Sequence, residues 1–502
     1  MKKKSLFGSG AVFLFLSTGS AFADVTPEQV WENWKAAGSQ GDTAFNAESE
    51  ARDGDTLVIS GLSVAATADP AVTTEGVIEE LRLKDLGDGT VEITMSDSYS
   101  MTITTPAIDG IAPPVSQVVT MTINAPGAVT IASGTPDAVS YAFSIPILDA
   151  SVATTADAAD PVDVQMSAVN VAGSYLVEGT APMKIGGNFA ADSLALAVKG
   201  QSDAGSTDID MTAAVGAIQS TFDATILEPE MMEDMAAAMA AGFGIHTDLQ
   251  YGATSFSLNV VDDGSPVAIS GGLESGKFVF GMDRNAFVYE TGSKGLSITV
   301  SGAEIPFPEV NLSLGEGGFG VSIPTSPTDA PADFSFLAKL VDLAISEDVW
   351  GMVDPGGALS HDPATVIVDG KGTARLTTEL FSDEAMGSGL PPGELLTFDL
   401  TQLLAKFAGA ELSGTGAFTF DNADLETFDG LPAPTGTINL KIVGMNMLMD
   451  TLISMGLISE DDAMGARMMI SMFANPGAGD DEFVSVLEFK DKGFYANGQR
   501  LQ

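Results

Sequence analysis

From about residue 55 the apolar positions of the chain recur every second residue. TLVISGLSVAAT, GTVEITMSDSYSMTITTP, VVTMTINAPGAVTIAS and AVSYAFSIPIL alternate in this way, with Thr, Val and Ile prominent. A period of two puts successive side chains on opposite faces of an extended backbone, so each stretch predicts a β-strand with one apolar face. Gly87-Asp88-Gly89 and Ala125-Pro126-Gly127 fall between stretches and supply turn chemistry. The alternation continues through VDVQMSAVNVAGSYLVEG, DSLALAVKG and STDIDMTAAV, and again in short segments between residues 250 and 323. No βαβ rhythm intervenes, which predicts antiparallel hairpins.

A period near 3.6 shows in fewer places. TPEQVWENWKAAG predicts a helix with Thr26 as N-cap, Pro27 in the first helical position and Gly38 at its close. Val30, Trp31 and Trp34 give it a face to pack on the sheet. EPEMMEDMAAAMAAGFG predicts a second helix, from Pro229 to Gly242, with Met231, Met235 and Met239 on a core-facing side. SPTDAPAD, residues 326–333, is a Pro- and Asp-rich break and the best candidate boundary. Beyond it FSFLAKLVDLAI has apolar residues at helical spacing (Phe336, Leu340, Leu343, Ala344), ATVIVDGKGTARLTTELF resembles a strand pair, and LTQLLAKFAG a further helix. MNMLMDTLISMG, closed by Gly456, and SEDDAMGARMMISMFA, opened by Ser459 and Asp462, predict a helix pair whose methionines bury a soft face against the sheet. A hairpin turning at Asp491-Lys492-Gly493 ends the chain.

The expected fold is therefore mainly β with minor α: a long curved antiparallel sheet of hairpins with an α+β C-terminal part. The expected divisions are 1–23, 24–325 and 326–502. Residues 1–23 have the form of a secretory signal. Lys2 to Lys4 are followed by an apolar stretch from Leu6 to Leu16 and by Ala21-Phe22-Ala23, an A-x-A site predicting cleavage between Ala23 and Asp24. The apolar stretch falls short of the about 20 residues that span a bilayer, and no later run approaches that length. Export to the periplasm follows as the expectation, with secretion the variant of it.

Composition narrows the classes further. The 21 Lys and Arg against 68 Asp and Glu argue against nucleic acid and anionic membrane surfaces as partners. With no cysteine there are no disulfides, so a hydrophobic core has to supply stability. An apolar fraction of 45% separates the chain from a disordered acidic tail.

Candidate chemistry is sparse. Gly315-Glu316-Gly317-Gly318-Phe319-Gly320 matches G-x-G-x-x-G, but the strand-like FGVSIPT follows where a phosphate-binding helix is required, and the expectation is a hairpin turn. His246 and His361 are the two histidines, too few for the usual zinc sets. Asp262 with Asp263, and Asp208 with Asp210, offer oxygens for calcium, yet no calcium-loop pattern surrounds them and turn chemistry explains them. No G-x-S-x-G elbow occurs. EDVWGMVDPGGALSHDPATVIVDG gathers His361, Asp354, Asp362 and Asp369, but a helix end at Asp354-Pro355-Gly356-Gly357 and a turn at His361-Asp362-Pro363 into a strand account for it. No catalytic, cofactor-binding or metal-binding residue is assigned, and no cofactor is expected.

VDLAISEDVWGMVDPGGALSHDPATVIVDGKG and LISEDDAMGARMMISMFANPGAGDDEFVSVLEFKDKGFYANGQRL resemble segments of an exported alphaproteobacterial family, domain of unknown function 2125. The helix pair, the acidic break and the last strand with Asn497-Gly498-Gln499 carry the resemblance. It implies a secreted or periplasmic β-rich protein and no activity, and no functional residue is carried over. The closing hairpin after a helix pair, ending in Asn497-Gly498, is also similar to an uncharacterised group of Gram-negative envelope proteins built from long β-sheets; some large envelope proteins of that style fold as grooves that shield lipid chains. That likeness is one of architecture, which does not give function.

A sheet with one apolar face must cover it with a second sheet, with helices or with a ligand. The few helices expected here are too few for so many strands. The leading expectation is a non-enzymatic protein that binds lipid or another amphiphile in an apolar groove. The alternative is a structural or interaction protein of the cell envelope whose acidic surface meets a protein partner. An outer-membrane barrel is disfavoured by the six Tyr and three Trp, too few for aromatic girdles.

Overall fold

The computed structural model describes residues 24–40, 43–66, 73–105, 117–154, 161–179, 182–202, 206–388 and 391–501. Of the expected cleavage pair, Ala23 lies outside the described residues and Asp24 is the first of them. Among the described residues 27 strands join in one sheet, every ladder antiparallel, as the alternation predicts. Consecutive strands are neighbours. Thr56–Ala66 pairs with Thr73–Asp85, and later Ala138–Thr154, Val162–Glu178, Met183–Ser202 and Thr207–Ile226 follow one another as long hairpins. Several rungs are built of two collinear pieces: Gly244–Tyr251 and Thr254–Asp262 both run along Thr207–Ile226. The sheet continues through Ala286–Gly302, Val310–Pro324, Ala332–Ile345, Ala364–Leu376, Gly393–Phe407, Ala410–Asp421, Ala433–Val443 and Glu482–Lys490. The strands on either side of the Pro- and Asp-rich break thus pair directly, Val321 opposite Phe336.

Six α-helices accompany the sheet among the described residues: α1 (Pro27–Gln40), α2 (Met235–Ala240), α3 (Glu347–Val353), α4 (Asp383–Ser388), α5 (Met445–Ser454) and α6 (Glu460–Phe473). Helix α1 starts as expected. The Thr26 N–H donates to Gln29 Oε1 at 3.0 Å and the Gln29 N–H to Thr26 Oγ1 at 3.3 Å, a reciprocal cap. It runs past Gly38 to Gln40. Its apolar face meets the first strands, where Val30, Trp31, Ile59, Leu81, Leu83, Val91, Ile93 and Tyr141 form one buried cluster.

Three helical expectations fail. Residues 332–345 and 393–407, both given helical segments by their spacing, are strands. The stretch from Ala364 to Leu376 is a single strand rather than a pair. The Met231–Met239 stripe is split between a short 3-10 turn, Pro229–Met232, and α2, so that Met239 is buried while Met231 is exposed.

The ladder register gives one reason for these misreadings. In many of the long strands apolar-face positions step by two, then by three near the middle. The step falls at Ile145/Leu148, Ala191/Leu194, Val215/Ile218, Ser293/Leu296, Leu314/Gly317 and Leu340/Leu343, and the register puts all of them at one level of the sheet. One extra residue per strand is a bulge, which bends the strand. Asn170, Ala217 and Asp342, with φ of 51°, 50° and 55°, mark the same level, as does Gly295 at 64°. Aligned in this way, the bulges crease the sheet over the strands between Ala138 and Ile345. At the crease a Cβ on Gly295 would lie 2.6 Å from Glu274 Cγ, so both the left-handed backbone and the close carboxylate side chain require glycine. A step of three between Leu340 and Leu343 also imitates helical spacing, which is why residues 336–344 suggest a helix.

Candidate functional site

The crease leaves the two faces of the sheet chemically distinct. Residues directly opposite in antiparallel ladders share a face, so the register can be followed from strand to strand. Tyr141, Tyr175, Gly187, Phe222, Thr247, Phe280 and Tyr289 make one continuous row. It goes on through Val321, Phe336, Gly370, Leu400, Gly416, Ile438, Leu487 and Ala496. Thr247 is its one polar side chain other than the tyrosine hydroxyls. Beyond the crease a parallel row, Val152, Val164, Val198, Met211, Leu258, Ile269, Val300 and Val310, is wholly aliphatic apart from one methionine. Edge-to-face contacts knit neighbouring rings, as between Phe280 and Phe287 at 5.9 Å and between Phe319 and Phe336 at 5.7 Å.

What covers this face changes along its length. Under α1 Tyr141 is 4% exposed and Val139 is 3% exposed. From Phe222 to Leu487 no side chain of the row beyond glycine is buried; all are half-buried or exposed. On the same face Leu340 and Val366 are each 46% exposed. The inner faces of two packed sheets would be shut off from water. Over most of the sheet, then, the apolar face has no second protein layer among the described residues.

The opposite face is richer in polar residues, chiefly Ser, Thr, Asn and Gln, with Asp163, Asp208, Asp210 and Asp223 among its members. A cleft of about 600 Å3 lies on it beside the crease. There Lys277 pairs with Glu290 and Lys339 with Glu316, both at 2.5 Å, and Lys294 also lines it. The Lys339 ammonium holds the Glu316 carboxyl below its ordinary value. Apart from Glu316, which lies in the glycine-rich stretch, nothing in the sequence pattern singled out these residues, because they come from separate strands.

The residues weighed from the sequence have local tasks. His361 Nδ1 lies 2.8 Å from a Glu347 carboxylate oxygen, and its ring stacks on Trp350 with centroids 4.5 Å apart. Asp354 is buried 3.5 Å from His361 Nε2 and accepts the Leu359 N–H at 2.6 Å. Glu347 raises the imidazole above its ordinary value, while the Ala358 and Leu359 amides hold Asp354 below its own. The group fastens the connection between strands 332–345 and 364–376. Asp362 instead accepts from Ser360, and Asp369 stands across the ladder from Leu337 and Gln402, so neither joins it. His246 lies 3.3 Å from Asp223, Asp208 accepts from Gln201, and Asp262 accepts from Thr207. Among the described residues no cluster of three or more His, Asp or Glu side chains is arranged to hold a metal ion. Gly315 to Gly320 lie inside the strand Val310–Pro324, not in a turn, with the Lys339 side chain lying over Gly318.

The helix pair α5–α6 also differs from expectation. Met449 and Ala463 are buried, but Met447, Met464, Met468, Met469 and Met472 are exposed, so most of the methionines do not pack on the sheet. No helix among the described residues is long and apolar enough to cross a membrane.

No family model and no curated protein matches the chain. Among solved structures, the crystal structure of the ferric citrate transporter FecA in the unliganded form is similar over 91% of this chain and 76% of that chain, at 7% identity and a TM-score of 0.17. A likeness of that size assigns neither fold nor function.

Proposed function

We propose that the protein is an exported, periplasmic, non-enzymatic binder of lipid or another amphiphile, whose hydrocarbon chains lie on the apolar face of the sheet. The observation that carries this reading is the continuous apolar row, which between Phe222 and Leu487 has no protein layer closing it among the described residues. Covering a methylene there removes apolar area from water at about 0.8 kcal/mol per CH2. The face supplies almost no titratable group, which suits holding a chain and does not suit acid–base or nucleophilic chemistry. The leader-like N-terminus and the resemblance to an exported family support the location. The acidic residues on the opposite face favour a second reading, an envelope interaction protein meeting a basic partner.

Native mass spectrometry with lipid extraction tests the two. The protein is purified from periplasm without detergent. An amphiphile bound at one or more per chain supports the first reading. A clean apo mass, unchanged after addition of envelope lipids, overturns it and leaves the protein partner.

A further inference from the structure

We infer that the apolar face is a track holding several acyl chains at once, belonging to zwitterionic or uncharged amphiphiles, rather than a pocket for one molecule. The inference rests on the amphiphile reading above and extends it to stoichiometry and head group. The row from Tyr141 to Ala496 crosses the sheet strand by strand, each member the direct ladder partner of the next. At about 4.8 Å between strands its contour is roughly 65 Å long. An acyl chain in a bilayer spans half of the about 30 Å hydrocarbon core, or about 15 Å. One row thus has room for about four chains end to end, and the parallel row beyond the crease adds further space. No charged side chain divides either row, so no position along them separates one ligand from the next. The row ends in buried residues on both sides, Tyr141 at 4% and Ala496 at 3%, so chains reach it from its open face rather than from its ends.

Charge chooses the head group. With 21 basic against 68 acidic residues, an anionic head group at the rim of the face meets net repulsion, whereas a zwitterionic or neutral one does not. The same charge opposes a second copy of the chain as the cover, since closing two such faces brings two large like charges together.

The test loads delipidated mature protein from phosphatidylcholine vesicles and counts bound lipids by native mass spectrometry. The expected result is stepwise filling to several lipids per chain, with loading severalfold lower from vesicles of phosphatidylglycerol. Val321→Glu puts a charge in the middle of the track, and Ser322→Glu puts the same charge on the opposite face one residue along. The first should about halve the maximum count and the second should leave it unchanged. Saturation at one lipid, or loss of every lipid in Val321→Glu, overturns the track while leaving lipid binding standing. Equal loading of the anionic lipid overturns the head-group assignment. A face-to-face dimer free of lipid, or no lipid at all on the unaltered protein, overturns the binding reading itself. The count on the unaltered protein decides the matter alone should Val321→Glu not fold.

Discussion

The apolar face under α1 and the apolar face between Phe222 and Leu487 are made of similar residues and differ in what lies on them. Under α1, Trp31 is 2% exposed, its ring 6.3 Å from Phe45 and its indole N–H donating to Glu50 at 2.9 Å. Further along, aromatic rings of the same size touch one another within the sheet and stay accessible from above. Alternation alone makes both regions; only the first is closed by protein. A hydrophobic residue in this sheet therefore belongs to a closed core or to an open surface according to its position along the row.

The largest expected effect separates the two regions directly. Trp31→Ala should cost about 3–5 kcal/mol, because it opens a cavity in a closed cluster, whereas Phe280→Ala should cost less, about 2 kcal/mol, since a partly exposed ring leaves no fully enclosed void. Urea melts of both variants measure this, and equal costs would remove the distinction. Next in size, an amphiphile at a hundred times its Kd should add about 2.7 kcal/mol to unfolding stability. Trp31→Ala should retain that increment, since its site lies away from the open face, and a thermal melt with and without lipid shows whether it does.

The crease comes third. Gly295→Val forces a β-branched residue to φ of 64° and crowds Glu274, at a cost of about 1–3 kcal/mol. Its melting temperature should fall, and lipid loading should fall with it if the bend shapes the open face. Acidity gives the smallest effect. The raised pKa of His361 means that its contacts with Glu347 and Asp354 stabilise the fold fully below its ordinary value near 6.5, and that the contribution is lost as pH rises through the higher folded value. Asp354, Glu316 and Asp424, the last held low by the Lys492 ammonium at 2.7 Å, act in the opposite sense: their contribution is present above about pH 4 and fades as pH falls further. Hydrogen-exchange protection in residues 346–363, taken relative to the intrinsic base-catalysed rate, should fall on the alkaline side, and His361→Gln should remove that fall.

Much of the fold was legible residue by residue. Strands such as Ala138–Thr154 alternate openly, and Thr26-Pro27 announces α1 through a cap that needs only neighbours in sequence. Illegibility began at the crease. In residues 332–345 the slip from Leu340 to Leu343 breaks the period of two and copies a helical interval. In residues 393–407 two slips, at Leu395/Phe398 and Leu400/Leu403, do so again. The methionines of α5 and α6 misled for another reason, since periodicity reports an apolar side but not whether anything packs on it. The open face itself was expected from the shortage of helices, but its members could not be chosen until the register aligned them.

By itself the sequence determined local matters: extended backbone over most stretches where apolar and polar residues alternate, turns where Gly, Asp and Pro cluster, a capped helix starting at Pro27, and an acidic chain without cysteine. The tertiary structure alone decided which strands pair, that their extra residues fall at one level and bend the sheet, and that Tyr141 is covered while Phe280 is not. The physical reason is range. Side-chain alternation and capping are set by residues within a few positions of each other. Register, crease and cover depend on ladder hydrogen bonds between residues far apart in the chain, and no local pattern records them.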